Sequence, residues 1–365
     1  MTSGNGPMPA AAVELACPAC SGPVSEGDRF CEACGAELRA PTEGQQASPE
    51  PVECRECGGE VGADGYCTQC GTRAVSERDH FTEQPASWVA AVCDRGIHHT
   101  RNEDAVALQA RPDPGSHAVL VVCDGVSSST DSDVASLAAA RAARDLLAVT
   151  APQGLGTTAT RIGATAKALG AAVNAANEAV VAHTTAGPGN PASCTVVAAV
   201  IDRSLLVVGW VGDSRAYWLP DEGEGLLLTE DDSFAAEQIA AGVPRAEAES
   251  GPQAHAITRW LGSDAPDHTP RTASLDLAGP GWVLVCSDGL WNYASEPGEV
   301  AALVAQLAPP GGTAPLDLAE ALVGWANAQG GQDNITVALA RVGEPTPTAT
   351  TAYRKDIAPD GNVLS

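Results

Sequence analysis

Basic residues are scarce in this chain. Lys and Arg number 20 among 365 residues, against 46 Asp and Glu, for a formal net charge of -26. A polyanion would be repelled by such a surface rather than drawn in through counterion release, which argues against nucleic acid as a main partner. Long apolar runs are missing too. No stretch reaches the roughly 18 consecutive apolar residues of a membrane span, and the N-terminus has no basic segment leading into an apolar one. The expectation is a cytoplasmic protein with no membrane partner. Hydrophobic residues, by contrast, make up 44% of the chain, enough for one substantial core plus a small appendage.

The 12 cysteines are distributed unevenly, eight of them in paired C-x-x-C units near the N-terminus. Cys17-Pro-Ala-Cys20 pairs with Cys31-Glu-Ala-Cys34, and Cys54-Arg-Glu-Cys57 pairs with Cys67-Thr-Gln-Cys70. In a long intracellular chain such spacing favours metal over disulfides. Each unit turns two thiolates toward one point, and two units make a four-sulfur cage suited to zinc, so two structural zinc ions are expected. A closed cage leaves no open coordination position and folds its segment rather than catalysing. The pattern resembles the double zinc ribbon family, which implies a docking or regulatory module with a protein partner. Nucleic acid is the weaker alternative for the ribbons, given their acidic surroundings.

Composition divides the rest. Residues 1–12 read as disordered, 13–74 as the double ribbon, 75–86 as a linker, 87–343 as the main domain and 344–365 as a disordered tail. Within the main domain Trp88–Cys93, His117–Cys123, Ser193–Ile201, Leu205–Val211, Arg215–Leu219, Trp282–Ser287 and Ile335–Arg341 are short, apolar and bounded by turn residues, as strands are. Asp202-Arg203-Ser204 reads as a hairpin turn. Asp133–Ala148 and Arg161–His183 are Ala- and Leu-rich and read as helices, as do Ala235–Ala241, Glu299–Leu307 and Leu316–Ala328. Strands come in adjacent pairs with helices in separate blocks, which points to an α+β fold with antiparallel sheets.

Five acidic motifs lie at strand ends: Asn102-Glu103-Asp104, Asp124-Gly125, Gly212-Asp213-Ser214-Arg215, Ser287-Asp288-Gly289 and Asp333-Asn334. Any one of them is an ordinary turn sequence. In this order they resemble the type-2C metal-dependent protein phosphatases, the PPM family, from about Trp88 to Val342. The resemblance implies a central antiparallel β-sandwich with helices on both sides, four layers in all, and hydrolysis of phosphoserine and phosphothreonine in proteins, a kinase activation loop among them. It assigns Asp124 as the bridging ligand of two manganese or magnesium ions, with the Gly125 carbonyl on one ion and Asp288 and Asp333 completing the other. Glu103 and Asp104 would hold metal-bound waters or bind directly, and Asp213 with Asp288 would form a weaker third site. Hard oxygen donors suit those cations as sulfur suits zinc. A pair of such ions polarises a phosphoryl group and activates water for in-line attack, with no covalent intermediate. A phosphocysteine route is disfavoured: the main domain has no C-x₅-R loop of the tyrosine-phosphatase kind, and Cys93, Cys123, Cys194 and Cys286 sit inside apolar strands.

Two departures from the family pattern stand out. The family has an Arg five residues before the first-motif Asp, gripping phosphate, where this chain has His99; Arg101 or the pair His98-His99 are the candidates to replace it. The usual glycines after Asp-Gly are replaced by Val126-Ser127-Ser128-Ser129-Thr130, whose hydroxyls could hydrogen-bond metal waters in compensation. The segment from Ser233 to His255 matches the family's mobile flap. The competing readings are a catalytically weak phosphatase-like binding protein and a zinc-ribbon nucleic-acid-binding regulator.

Overall fold

A computed structural model of the chain describes residues 15–17, 20, 22–24, 33–34, 53–54, 57–62, 65–74, 76–152, 156–184, 189–251, 253–254, 256–308, 312–343 and 353–355. They belong to two compact units, Met1–Val75 and Ser76–Ser365. Cys31, residues 1–12 and most of the expected tail lie outside the described residues.

In the first unit β1 (Leu15–Ala16) pairs antiparallel with β2 (Pro23–Val24). One backbone turn recurs there. Cys17, Cys54 and Cys67 each donate their N–H to the carbonyl five residues on, at Gly22, Gly59 and Thr72, over 2.7 to 2.8 Å. Gly58 and Gly71 donate back to Cys54 and Cys67, and both have φ near +70°, the left-handed conformation that glycine adopts without strain.

The second unit is a sandwich. The first sheet contains β3 (His80–Ala86), β4 (Val89–Asp94), β10 (Arg215–Pro220), β11 (Leu226–Leu227), β14 (Gly281–Cys286) and β15 (Ile335–Val342), in the order β11-β10-β14-β15-β4-β3. The second contains β5 (Ala105–Ala110), β6 (His117–Cys123), β8 (Val196–Asp202), β9 (Leu205–Val211), β13 (Arg271–Asp276) and β16 (Tyr353–Lys355), in the order β16-β13-β9-β8-β6-β5. All pairs are antiparallel, and β7 (Ser193–Cys194) with β12 (Leu261–Gly262) adds a small ribbon. Helices α1 (Ser132–Thr150) and α2 (Thr158–Ala182) cover the second sheet; α5 (Asp288–Trp291), α6 (Pro297–Leu307) and α7 (Pro315–Gln329) cover the first. Between β11 and β12 lie α3 (Phe234–Ala240) and α4 (Arg245–Glu249). The four expected layers are present.

Strand periodicity explains the layering. On β6, Ala118, Leu120 and Val122 enter the core between the sheets, while Val119, Val121 and Cys123 pack under α1 and α2. On β14, Val283 and Val285 face the other sheet, whereas Leu284 and Cys286 face the helices. Successive side chains point to opposite faces, and with both faces buried the strands read as unbroken apolar runs. Helix α2 meets its sheet through Leu169, Ala172, Val173, Ala176 and Val180, the three-and-four spacing of one helical face.

Of the expected linker, residues 76–86 belong instead to the second unit. They carry a 3-10 turn at Glu77–Asp79 and the edge strand β3, whose polar sequence and Pro85 suit an edge that needs few ladder bonds. Within the expected tail, the backbone of Tyr353–Lys355 pairs with β13. Among the described residues no helix is long and apolar enough to cross a membrane.

Candidate active site

The acidic motifs come from strand ends that meet at one rim. Asp288 follows β14, Asp333 precedes β15 and Asp213 precedes β10 in the first sheet; Asp124 follows β6 and Asp104 precedes β5 in the second. Hydrogen bonds cross between the sheets there. Asp104 Oδ2 accepts from Ser287 Oγ at 2.6 Å and from Thr336 Oγ1 at 2.7 Å. Arg78 donates to the carbonyls of Asn102, Asp104 and Asp133, tying the edge turn to the same corner.

Asp104, Asp124, Asp213 and Asp288 resist ionisation together. Burial raises Asp104 to about 7, and burial with the nearby Asp231 raises Asp213 to about 7. Asp124 is pushed well above the ordinary carboxylate range by burial and by the charges of Asp104, Asp288, Asp333 and Asp213. Asp288 is raised likewise, by burial and by Asp333, Asp213 and Asp104. Glu103 behaves differently: burial opposes its charge, but hydrogen bonds from Ser132 and Arg101 outweigh that and hold it below its usual value.

The loop carrying His99 and Arg101 is stitched to β15 by Asn334. Its Oδ1 accepts from the Glu103 N–H at 2.7 Å, and its Nδ2 donates to the carbonyls of Arg95 and Arg101 at 2.8 and 3.1 Å. The His99 ring thereby sits between Asp333 Oδ1, at 3.3 Å, and Glu103 Oε2, at 3.6 Å. Arg101 points into a different set of partners, with Nε and Nη2 on Glu103 Oε1 at 3.0 and 2.7 Å and further contacts to Ser129 and Ser132. Of the two candidates for holding phosphate, His99 is therefore the one that touches Asp333.

Gly125 lies where no side chain fits: a Cβ there would fall 2.5 Å from the Glu103 carbonyl oxygen. The Val126–Thr130 segment closes on itself. Ser129 Oγ donates to the Val126 carbonyl at 2.7 Å and accepts from the Ser193 N–H, so that hydroxyl spaces the turn. Asp124 is held by its N–H on Thr195 Oγ1 at 3.1 Å, and Thr195 is bonded in turn to Ser214. Sequence reasoning did not find the roles of Ser287, Thr336, Asn334 and Thr195. The available signal was spacing, since Asn334 immediately precedes β15 and Thr336 lies two residues on, inside it.

The thiols form tighter groups. Cys54, Cys57, Cys67 and Cys70 place one sulfur each within 4.8 Å of all the others, as do Cys17, Cys20 and Cys34. Sulfur–sulfur separations of 3.4 to 3.8 Å compare with the edge of about 3.8 Å for a tetrahedron of zinc–sulfur bonds about 2.3 Å long. The Gln69 N–H donates to Cys67 Sγ at 3.4 Å, stabilising thiolate charge. Cys93, Cys123, Cys194 and Cys286 are fully buried, and burial pushes the Cys93 thiol up to about 12, which leaves no thiolate for nucleophilic attack.

Among the described residues, the cysteine sets are the groups tight enough to enclose one ion directly. The carboxylates are spaced more widely, which suits hard cations that keep several waters and take only one or two carboxylates each. Asp104 Oδ1 and Asp288 Oδ1 are buried without a hydrogen-bond donor, inside a cluster of repelling charges. Divalent cations would satisfy both conditions.

The sequence profile of the protein phosphatase 2C family matches residues 96–325. Protein phosphatase PhpP of Streptococcus pneumoniae is 36% identical over 149 residues, covering 40% of this chain and 57% of that protein. The chain spans a little over half the length of the curated relatives it matches. The solved serine/threonine phosphatase of S. agalactiae superposes with a TM-score of 0.57 at 25% identity, over 72% of this chain and 100% of that one. The catalytic domain of serine threonine protein phosphatase PstP, solved with 2 manganese ions, gives 0.54 at 28% identity over 70% and 97%. With the profile covering more than half of its length and the acidic rim in place, the chain belongs to the protein phosphatase 2C family.

Proposed function

We propose that this protein hydrolyses phosphoserine and phosphothreonine in protein substrates, using manganese or magnesium at the acidic rim. The observation that carries the reading is the gathering of buried Asp104, Asp213 and Asp288 around the half-buried Asp124, with Asp104 Oδ1 and Asp288 Oδ1 lacking any donor. Asp124, the Gly125 carbonyl, Asp288 and Asp333 are the proposed ligands of two ions, and Asp213 with Asp288 those of a third. When bound, such ions supply charge neutralisation at the phosphoryl group and a water acidic enough to attack it.

The protein's own residues do the placing. Ser287 and Thr336 orient Asp104, Asn334 holds the His99 loop against Asp333, and Arg101 keeps Glu103 charged. His99, beside Asp333, takes the substrate phosphate. The names of the relatives and the manganese in PstP support this reading. The two cysteine sets each hold one zinc ion, with Cys31 completing the first, and form a docking module for a protein partner.

The test is turnover of an aryl phosphate and of a phosphothreonine peptide by the full chain, with manganese or magnesium and then with chelator. Metal-dependent hydrolysis of both substrates that Asp288→Asn abolishes is expected. A folded, zinc-loaded chain inert toward both would leave a binding protein in place of an enzyme.

A further inference from the structure

Arg215 is two residues from Asp213, yet the site as built gives it no role. Its guanidinium is buried, with Nε and Nη2 on the two oxygens of Asp231 at 2.9 and 2.7 Å and Nη1 on the Ser295 carbonyl at 2.9 Å. It stacks on the Trp291 ring at 3.7 Å. The Trp291 indole N–H donates to the Asp213 carbonyl at 3.0 Å. One planar cation thus spans from the strand end beside Asp213 to the segment entering the flap.

The flap itself is weakly packed. Its apolar core is Ala235, Ala248 and Ala254 with Ile239 and Val243, separate from the three large clusters. A cavity of 370 Å³ lies between α3 and α4 on one side and Arg215 and Trp291 on the other. Apolar contact therefore does little to hold the flap down, and polar contacts do more. Glu249 of α4 accepts from Ser295 Oγ at 2.9 Å and lies 3.8 Å from Arg215 Nη2, while Arg245 reaches Glu249 and Glu296 at 2.7 and 2.8 Å. At the hinge, Asp232 and Gly212 exchange hydrogen bonds through the Asp232 N–H at 3.0 Å and the Gly212 N–H at 3.1 Å.

We propose that Arg215 is a positioning residue that couples docking of the flap to the placement of Asp213, through Asp231 and Glu249 on one side and Trp291 on the other. Undocking the flap takes Glu249 away from the guanidinium, which shifts on Asp231, moves the stacked indole and withdraws the donor that fixes the Asp213 backbone. The metal half of the inference rests on the proposed role of Asp213 at the third ion. The flap half stands on geometry alone.

Two readouts separate the halves. Arg245 is the only Lys or Arg between Ser233 and Thr258, so tryptic cleavage after it reports flap opening. Manganese binding to the weakest class of site in the full, zinc-loaded chain reports Asp213. In Arg215→Met, cleavage after Arg245 is expected to quicken about tenfold and the weakest manganese affinity to fall about tenfold. Arg215→Lys keeps the charge but loses the fork and the stack, and falls between. Trp291→Phe keeps a stacked ring without the N–H donor, so the same loss of manganese affinity is expected with cleavage at the wild-type rate. If Arg215→Met fails to fold, Arg215→Lys and Trp291→Phe carry the test. Unchanged cleavage in the Arg215 variants would overturn the flap half. Manganese affinity unchanged in Trp291→Phe would overturn the coupling and leave the hinge at Asp232 and Gly212 as what anchors Asp213. A wild type that binds no manganese would overturn the metal half together with the proposed function, while the cleavage comparison would still decide the flap half.

Discussion

The cysteine cages and the acidic rim are both suited to metals, but their ligands are gathered in opposite ways. Each cage draws its sulfurs from 17 or 18 consecutive positions, and a backbone turn repeated at Cys17, Cys54 and Cys67 shapes it. The rim draws its carboxylates from strand ends between Glu103 and Asp333, and only the assembled sandwich brings them together. A local site can depend on its metal for folding, whereas a dispersed site depends on a fold that must tolerate repelling charges before any cation arrives.

The largest expected effect follows from that contrast. Strong chelation of zinc should abolish ordered structure in the first unit while the sandwich keeps a cooperative melting transition; proton NMR dispersion and calorimetry on the full chain check it. Loss of both together would erase the distinction. Next in size, Asp124→Asn should lower turnover by about 10²–10³-fold and yet raise the melting temperature of the manganese-free protein, because it deletes one member of a repelling set. A fall in both would show that Asp124 stabilises the fold.

A smaller effect concerns pH. Asp104 and Asp213 titrate near 7 in the folded protein, against roughly 3.9 when unfolded. The folded state holds those protons more tightly, so the stabilisation is fully present below the unfolded value and is lost as pH rises toward about 7. Melting temperatures without manganese should therefore fall between about pH 4 and pH 7 relative to those with saturating manganese. Parallel curves with and without the ion would contradict the assignment. The smallest change, Thr336→Val, removes one donor from the buried Asp104 Oδ2 and should cost about 1–3 kcal/mol in denaturant unfolding.

Legibility in the sequence tracked the same division. The cages were readable because spacing alone encodes them. Strands such as β6, β9 and β14 were readable because burial on both faces leaves them wholly apolar. The edge strand β3, with His80, Glu83 and Gln84, and the alanine-rich β5 carry little of that signal, and the first reads as a linker from its sequence. At the rim, the charged residues were found through their motifs, but their supports were not. Ser287, Thr336 and Asn334 act across 49 to 232 residues of chain, and such pairings appear only when the sheets are stacked. The exchange of Arg for His99 was visible, yet the placement of its ring between Glu103 and Asp333 needed Asn334 to be seen in position.

The most direct test of two chemically distinct metal sites in one chain is a metal count by mass spectrometry on protein equilibrated with manganese, for the wild type and Asp124→Asn. The account predicts that both proteins retain zinc at the cysteine cages while the manganese held by the wild type is lost from the variant. Manganese retained in full by Asp124→Asn would contradict it.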